Sequence, residues 1–210
     1  TPTGTITAGG QKTFKTPTTP TITVGSIAAF GNICINTTSD KSYTVSGINL
    51  VENIIITSPS GYQIKTGAGS WGTSLTLVQS GGTINSTTID VRFVPTAVQS
   101  YSGNITHTSS GATQRNVAVS GAGVNTPPSV TTVTVTSITS ESAKSGGSNI
   151  DAGCGTISVK GVVWGISANP TVSSNIEKTE DGNTTANYTS SITGLNANTL
   201  YHYRAYATNN

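Results

Sequence analysis

The sequence predicts an all-β chain of two β-sandwiches in series, on three observations. Apolar and polar residues alternate in short runs, as in Ile89–Phe93, where Asp90 and Arg92 separate three apolar residues. Gly, Ser and Asn clusters separate these runs. Apolar residues do not recur at helical spacing over three turns. Each strand therefore buries one face only, and a second sheet must cover that face.

Several other runs show the same alternation and are predicted as strands: Tyr43–Val45, Ile54–Ile56, Ser74–Leu77, Asn116–Val119 and Thr132–Thr136. The last run alternates Thr with Val, which is typical of a strand because Thr is a good strand former. The glycine pairs Gly81-Gly82 and Gly146-Gly147 are predicted to be hairpin or bulge residues. They do not predict phosphate loops, because no helix follows them.

Two stretches mark boundaries between segments. In Gly121–Pro128 the glycines are predicted to end a strand, and Pro127-Pro128 favours an extended spacer. A weaker boundary lies at Thr16–Pro20. The predicted segments are an N-terminal strand (1–19), a first sandwich (20–124) and a second sandwich (125–210).

The composition excludes several classes of function. Only 9% of residues are charged and the net charge is +2, whereas ordinary domains carry about 25% charged residues. The chain has no Lys/Arg cluster, so no nucleic-acid partner is expected. It has no apolar run of the ~20 residues that span a bilayer, so no membrane insertion is expected. The absence of Met suits a secreted protein exposed to oxidants.

The ionisable residues do not predict catalysis. Glu180 and Asp181 are the one adjacent pair of acids, and we expect both to face water before Gly182, with a loosely bound calcium ion as the weaker alternative. His107 lies in a polar strand, and His202 alternates with tyrosines. The sequence therefore predicts no enzyme, no catalytic residue, no cofactor and no metal.

Cys34 and Cys154 lie one in each predicted sandwich. We expect them to be oxidised, or else buried as inert thiols. A Cys34–Cys154 disulfide, within one chain or between chains, requires Cα atoms within ~7 Å.

Residues 194–210, GLNANTLYHYRAYATNN, resemble the end of a fibronectin type III domain. The resemblance implies a tyrosine corner, in which the Tyr201 hydroxyl bonds to backbone upstream. Together with SVTTVTVTSITSESAKSGG (129–147) and VKGVVWGISANPT (159–171), the segment is similar to a repeat of secreted Bacteroidetes proteins. This resemblance covers residues 128–210.

Residues 21–123 resemble an immunoglobulin-like module of the same secreted and cell-surface proteins. The stretches that carry this resemblance are residues 42–64, the turn at Trp71 with SLTL, residues 89–112 and residues 116–123. The two resemblances together imply tandem immunoglobulin-like repeats with adhesin, fibre or enzyme-accessory roles.

The second sandwich departs from the type III pattern at its end. The family's final strand, a Gly-rich turn followed by a run ending in Phe-x-Thr, does not follow Asn210, whereas residues 4–16 carry that pattern with Phe14-Lys15-Thr16. We therefore expect the strand to come from the following repeat or from another chain, head to tail. Ile6 and Phe14 are the residues expected to enter the core.

Each tryptophan has more than one interpretation. Trp164 is expected in the core, although alternation with Val163 leaves its direction open. Trp71, in the turn Gly69–Gly72, could pack over a sheet end, stack against a sugar or contact a neighbouring chain.

These observations favour a structural or adhesive repeat of a long extracellular surface protein or fibre, with neighbouring copies of itself as partners. Glycans or a host surface are further candidate partners. An accessory, glycan-binding module of a secreted multidomain enzyme is the alternative, and a virion fibre segment is a third hypothesis.

Overall fold

The computed structural model describes residues 12–14, 16, 18–173 and 177–210. In these ranges every regular element is a β-strand, which confirms the all-β prediction. The strands are β1 (Thr21–Val24), β2 (Asn32–Cys34), β3 (Ser39–Ile48), β4 (Ile54–Thr57), β5 (Tyr62–Lys65), β6 (Ser74–Leu77), β7 (Ile84–Phe93), β8 (Ser100–Thr108), β9 (Arg115–Val124), β10 (Ser129–Thr136), β11 (Ser142–Asp151), β12 (Ile157–Gly165), β13 (Tyr188–Thr193) and β14 (His202–Asn209).

The chain folds into two compact units. The first comprises the described residues of Thr1–Ala29 with Asp40–Arg92 and Ser102–Val119, and the second those of Phe30–Ser39, Phe93–Tyr101 and Ser120–Asn210. Parts of the predicted first sandwich thus group with the second unit. The physical reason is that β2 pairs in parallel with the last residues of β9, and Cys34 is bonded to Cys154.

The first unit is built on two sheets. One has the strand order β1-β3-β7-β5, and the other contains β9-β8-β4-β6. In chain order the first set corresponds to the A-B-E-D pairing of an immunoglobulin-like sandwich. Alternation in β7 places Ile89 and Val91 at 0% exposure, while Asp90 and Arg92 remain partly exposed, as predicted.

A buried polar pair lies inside the first unit. His107, which we expected in a polar strand, is fully buried. Its Nδ1 lies 3.1 Å from the carbonyl of Arg115, and its Nε2 lies 2.8 Å from the Tyr43 hydroxyl. A carbonyl only accepts, so Nδ1 carries the proton and Nε2 accepts from Tyr43. Burial lowers the pKa of His107 below its ordinary value of 6.5.

The second unit contains a smaller sandwich. Its sheets are β10-β11-β13 and β12-β14, which match the A-B-E and C-F pairings of an immunoglobulin-like sandwich. The core between them is formed by Ala143, Val162, Trp164 and Ile192. Trp164 is 5% exposed, in agreement with the expected core position. Val163, which points to the other face of β12, is also buried.

One prediction about glycines was wrong. Gly121 and Gly123 do not end the last strand of the first sandwich, because β9 continues to Val124. A side chain at Gly121 would press on the Phe93 ring, and one at Gly123 would collide with the Ala97 carbonyl. The glycines allow close approach.

Gly146-Gly147, predicted to be hairpin or bulge residues, lies inside β11 beside a register irregularity in the pairing with β10, which agrees with the bulge alternative. The backbone and ring of Tyr188 pack against these glycines. Gly81-Gly82 does form a turn between the bridged residues Ser80 and Thr83, with φ of 58° and 79°. Those angles are the ones a tight two-residue hairpin turn requires.

We predict that the buried His107 makes the fold sensitive to mild acid. Since its folded pKa is depressed, the unfolded chain binds the extra proton as the pH falls below about 6.5. Stability is therefore complete above that pH and decreases below it, by at most about 1.4 kcal/mol per pH unit. Urea unfolding between pH 5 and 7 measures this slope.

In the same experiment, His107→Gln should flatten the slope, and His202→Gln should keep it as the matched control. An equal slope in wild-type and His107→Gln chains would show that another group is responsible.

Candidate functional site at the open edge of the second sandwich

The last strand of the second sandwich has one paired edge. β14 pairs antiparallel with β12, in a register that places Trp164 opposite Tyr203 and Val162 opposite Ala205. No other strand in the described part of the chain pairs with β14. Main-chain groups of a strand alternate between its two edges, so every second amide of β14 faces away from β12.

The structure shows how one of these outward amides is satisfied. The Ala205 N–H donates to the Thr132 hydroxyl of β10, 3.0 Å away. Nearby, the Val135 N–H donates to the Tyr203 hydroxyl at 3.0 Å. Among the described residues, hydrogen bonds from backbone amides to side-chain hydroxyls, and not a backbone ladder, therefore connect β10 to β14.

An apolar cleft opens beside the first residues of β14. Its volume is about 530 Å³, and the core residues Ala143, Trp164 and Ile192 form part of its lining. Ile138 and Leu200 also line the cleft and are 69% and 76% exposed. The cleft therefore extends the core of the second sandwich to the surface at the end where β14 begins.

A tyrosine hydroxyl holds the loop at this end. The Asn196 N–H donates to the Tyr201 hydroxyl at 3.1 Å, five residues upstream. This is the geometry that the type III resemblance implies for Tyr201. The Tyr101 hydroxyl of β8 makes an equivalent contact at another loop, where it accepts hydrogen bonds from the amides of Thr96 and Ala97. A Tyr one residue into the strand that follows the loop 94–99 is the signal by which the sequence could have predicted this contact.

The core-facing side of β12 also carries a buried cation that sequence reasoning missed. Lys160 is 2% exposed. Its ammonium donates to the carbonyls of Thr184 and Ala186 and to the Thr184 hydroxyl, and lies 5.2 Å from the centroid of the Tyr188 ring. Its three protons are thus all used, and the contacts hold the 184–186 loop against β12.

The expectation that Asp181 faces water was wrong. Its carboxylate accepts from the hydroxyls of Thr179 and Ser190, both at 2.6 Å. Glu180 is exposed and forms a 3.2 Å ion pair with Lys178. Among the described residues, no three His, Cys, Asp or Glu side chains lie close enough to share a metal ion.

Trp71 packs against cations on the first unit. The Arg92 guanidinium lies 4.2 Å from the ring centroid, and the Lys65 ammonium lies 5.0 Å from it. Arg92 also donates two hydrogen bonds to Asp40, which lowers the pKa of that carboxyl. The guanidinium covers indole surface that a stacked sugar would use.

The remaining residues singled out in the sequence are the two cysteines, Phe14 and Ile6. Cys34 and Cys154 form a disulfide, with Cα atoms 5.4 Å apart. Phe14 is 90% exposed and belongs to no strand. Ile6 lies outside the described residues. The described chain contains no helix long and apolar enough to cross a membrane.

Comparison with known proteins gave structural similarities only. No family model matches the chain, and no curated protein matches its sequence. A titin fragment is 15% identical over 85% of this chain, with a TM-score of 0.28. The FN1–FN3 domains of chicken CNTN1 are 14% identical over 89% of it, with a TM-score of 0.30.

The chain spans 55% and 60% of the lengths of those two fragments. The IG1+IG2 fragment of DIP-gamma is 10% identical over 90% of both chains, with a TM-score of 0.30. The fold assignment follows from the strand order and not from these similarities.

The Thr132 contact leads to a prediction for the outward amide of Ala205. Thr132→Val removes the acceptor, so the Ala205 amide should exchange with solvent about tenfold faster, as expected for loss of one hydrogen bond. Thr132→Ser keeps a hydroxyl and should preserve protection. Residue-resolved hydrogen exchange measures both variants. Unchanged exchange at Ala205 in Thr132→Val would contradict the assignment of this edge.

Proposed function

We propose that this chain is a structural or adhesive repeat of an extracellular surface protein or fibre, and that another copy completes its second sandwich. The observation that supports this most directly is that β14 has no strand partner on its outer edge within the described part of the chain, beside an apolar cleft. An unpaired edge is a template for an added strand, in which backbone bonds give affinity and side-chain pockets give specificity.

The proposed occupant is the segment 4–16 of another copy. Its Phe-x-Thr ending has the pattern of the strand that the type III resemblance requires. Phe14 supports the proposal because it is a large apolar residue left 90% exposed. Burying a phenylalanine side chain contributes roughly 1.5–3 kcal/mol, so a cleft on a neighbour is a favourable place for it.

The direction of the added strand follows from the position of the cleft. The cleft lies where β14 begins, beside Tyr201 and Tyr203. Phe14 lies near the end of its segment. An antiparallel strand places its last residues beside the first residues of β14, so this direction brings Phe14 to the cleft, and a parallel strand would not.

The donor can be the following repeat of one polypeptide or a separate chain. In either case the contact joins one surface to a different surface of the next copy. Such head-to-tail contacts do not close on themselves unless the rotation forms a ring, and they generate filaments.

Two further observations support an extracellular structural role. The Cys34–Cys154 disulfide is typical of oxidising compartments. The buried ionisable groups His107 and Lys160 use their polar atoms in bonds to other parts of the fold. The alternative, a glycan-binding accessory module, has less support because Arg92 covers part of the Trp71 ring.

We predict that Phe14→Asp blocks assembly. A carboxylate in an apolar cleft is penalised by desolvation, and loss of a central aromatic anchor typically costs at least 2 kcal/mol, or roughly 30-fold in affinity. Thr13→Asp is the matched control, because neighbouring side chains of a strand point to opposite faces. Light scattering over a concentration series measures assembly of the wild-type and variant chains.

On the acceptor side, Ile138→Asp places the charge at the cleft, whereas Ile166→Asp places it at an equally exposed site away from the cleft. Only Ile138→Asp should weaken assembly.

A chain of two copies joined in tandem tests the case in which the following repeat of one polypeptide donates the strand. Thermal unfolding of wild-type and Phe14→Asp forms of this tandem chain measures the stability of the internal junction. Wild-type chains that stay monomeric, together with a tandem junction insensitive to Phe14→Asp, would refute the proposal.

A further inference from the structure

The disulfide connects two points that are far apart along the chain. Cys34 is the last residue of β2, and Cys154 lies in the turn between β11 and β12. Their separation is 120 residues. The loop that the bond closes therefore contains β3 to β11, including nearly all of the first sandwich and the spacer at Pro127-Pro128.

Both cysteines are also held by backbone bonds to one short segment. Cys34 lies opposite Val124 in the parallel pairing of β2 with β9, and the following Ile35 N–H donates to the Val124 carbonyl at 2.9 Å. The Cys154 N–H donates to the Thr126 carbonyl at 2.8 Å. The turn at Gly153 packs against this segment so closely that a side chain there would collide with the Thr126 carbonyl.

We propose that this disulfide is a mechanical bypass for tension applied along the chain. The inference rests on the proposed function, since a repeat in a fibre transmits force from its N-terminal to its C-terminal side. Force that reaches Cys34 passes through the S–S bond to Cys154. Residues 35–153 then carry none of it along the covalent chain.

The bypass divides the strands into two groups. β1 and β2 precede Cys34, and β12 to β14 follow Cys154, so these strands lie on the path of the force. β1 pairs with β3 over four residues, Thr21 to Val24, and can be peeled away. The strands β3 to β9, which form the rest of the first sandwich, cannot be drawn out while the bond is intact.

The bypass also removes the spacer from the path of the force. Residues 125–128 form no strand and would be an easily extended link between β9 and β10. Because they lie inside the closed loop, tension cannot extend them. The disulfide therefore limits how far each repeat lengthens under tension. The segments outside the closed loop can still extend, by up to ~3.5 Å per residue.

Single-molecule stretching of the 210-residue chain tests the bypass. The chain is held by peptide tags at its two ends, without thiol chemistry, and pulled to full extension. The Cys34→Ser/Cys154→Ser chain should release roughly 420 Å more contour length than the oxidised wild-type chain, from 120 residues at ~3.5 Å each. Adding a reductant to a stretched wild-type molecule should release the same hidden length in one step.

The second arm keeps the test valid if the double variant folds poorly, because it starts from native oxidised protein. Equal contour lengths for oxidised and reduced wild-type chains would overturn the proposal. So would unfolding of the first sandwich, seen as release of its full length, while the bond is intact. Repeating the measurement with Phe14→Asp separates the two proposals, since that variant should lose assembly and keep the bypass.

Discussion

A strand with a free edge leaves an amide and a carbonyl without ladder partners at every second residue, and within the residues that the structure describes β14 is such a strand. Among the described residues β14 pairs with β12 alone, while residues 177–182 form backbone hydrogen bonds with the other edge of β12. This small sheet covers the core that contains Trp164 and Ile192. The apolar cleft, the exposed Ile138 and Leu200 and the use of Thr132 as a side-chain acceptor all accompany this small sheet. The proposed assembly would supply a strand partner for this edge.

The rest of the second unit holds the small sheet in place by other means. The buried Lys160 ammonium fixes the 184–186 loop against β12. The Asp181 carboxylate ties the stretch that runs beside β12 to Ser190 of β13. At the opposite end of the unit, the disulfide fixes the turn before β12. These contacts hold β12, the partner strand of β14, in place.

Most of the fold could be predicted from the alternation of apolar and polar residues along single strands. Burial of residues such as Ile89 and Val91 depends only on which face of the strand they occupy. Residues whose position depends on distant partners were not predictable in this way. His107 is buried because Tyr43, 64 residues away, supplies its hydrogen bond, and Gly121 lies within β9 because the Phe93 ring needs its space. The candidate edge was predicted from a resemblance at residues 194–210, whereas the cleft depends on how loops 137–141 and 194–201 pack.

The central claim, that Phe14 of one copy enters the cleft of another, is tested most directly by site-specific photocrosslinking. A benzophenone amino acid replaces Phe14, assembled chains are irradiated, and the cross-linked peptides are identified by mass spectrometry. The account predicts cross-links between residue 14 and cleft residues such as Leu195, Leu200 and Tyr203 of a different copy, established with isotopically mixed chains. Cross-links confined to the first unit, or formed only within one chain, would contradict it.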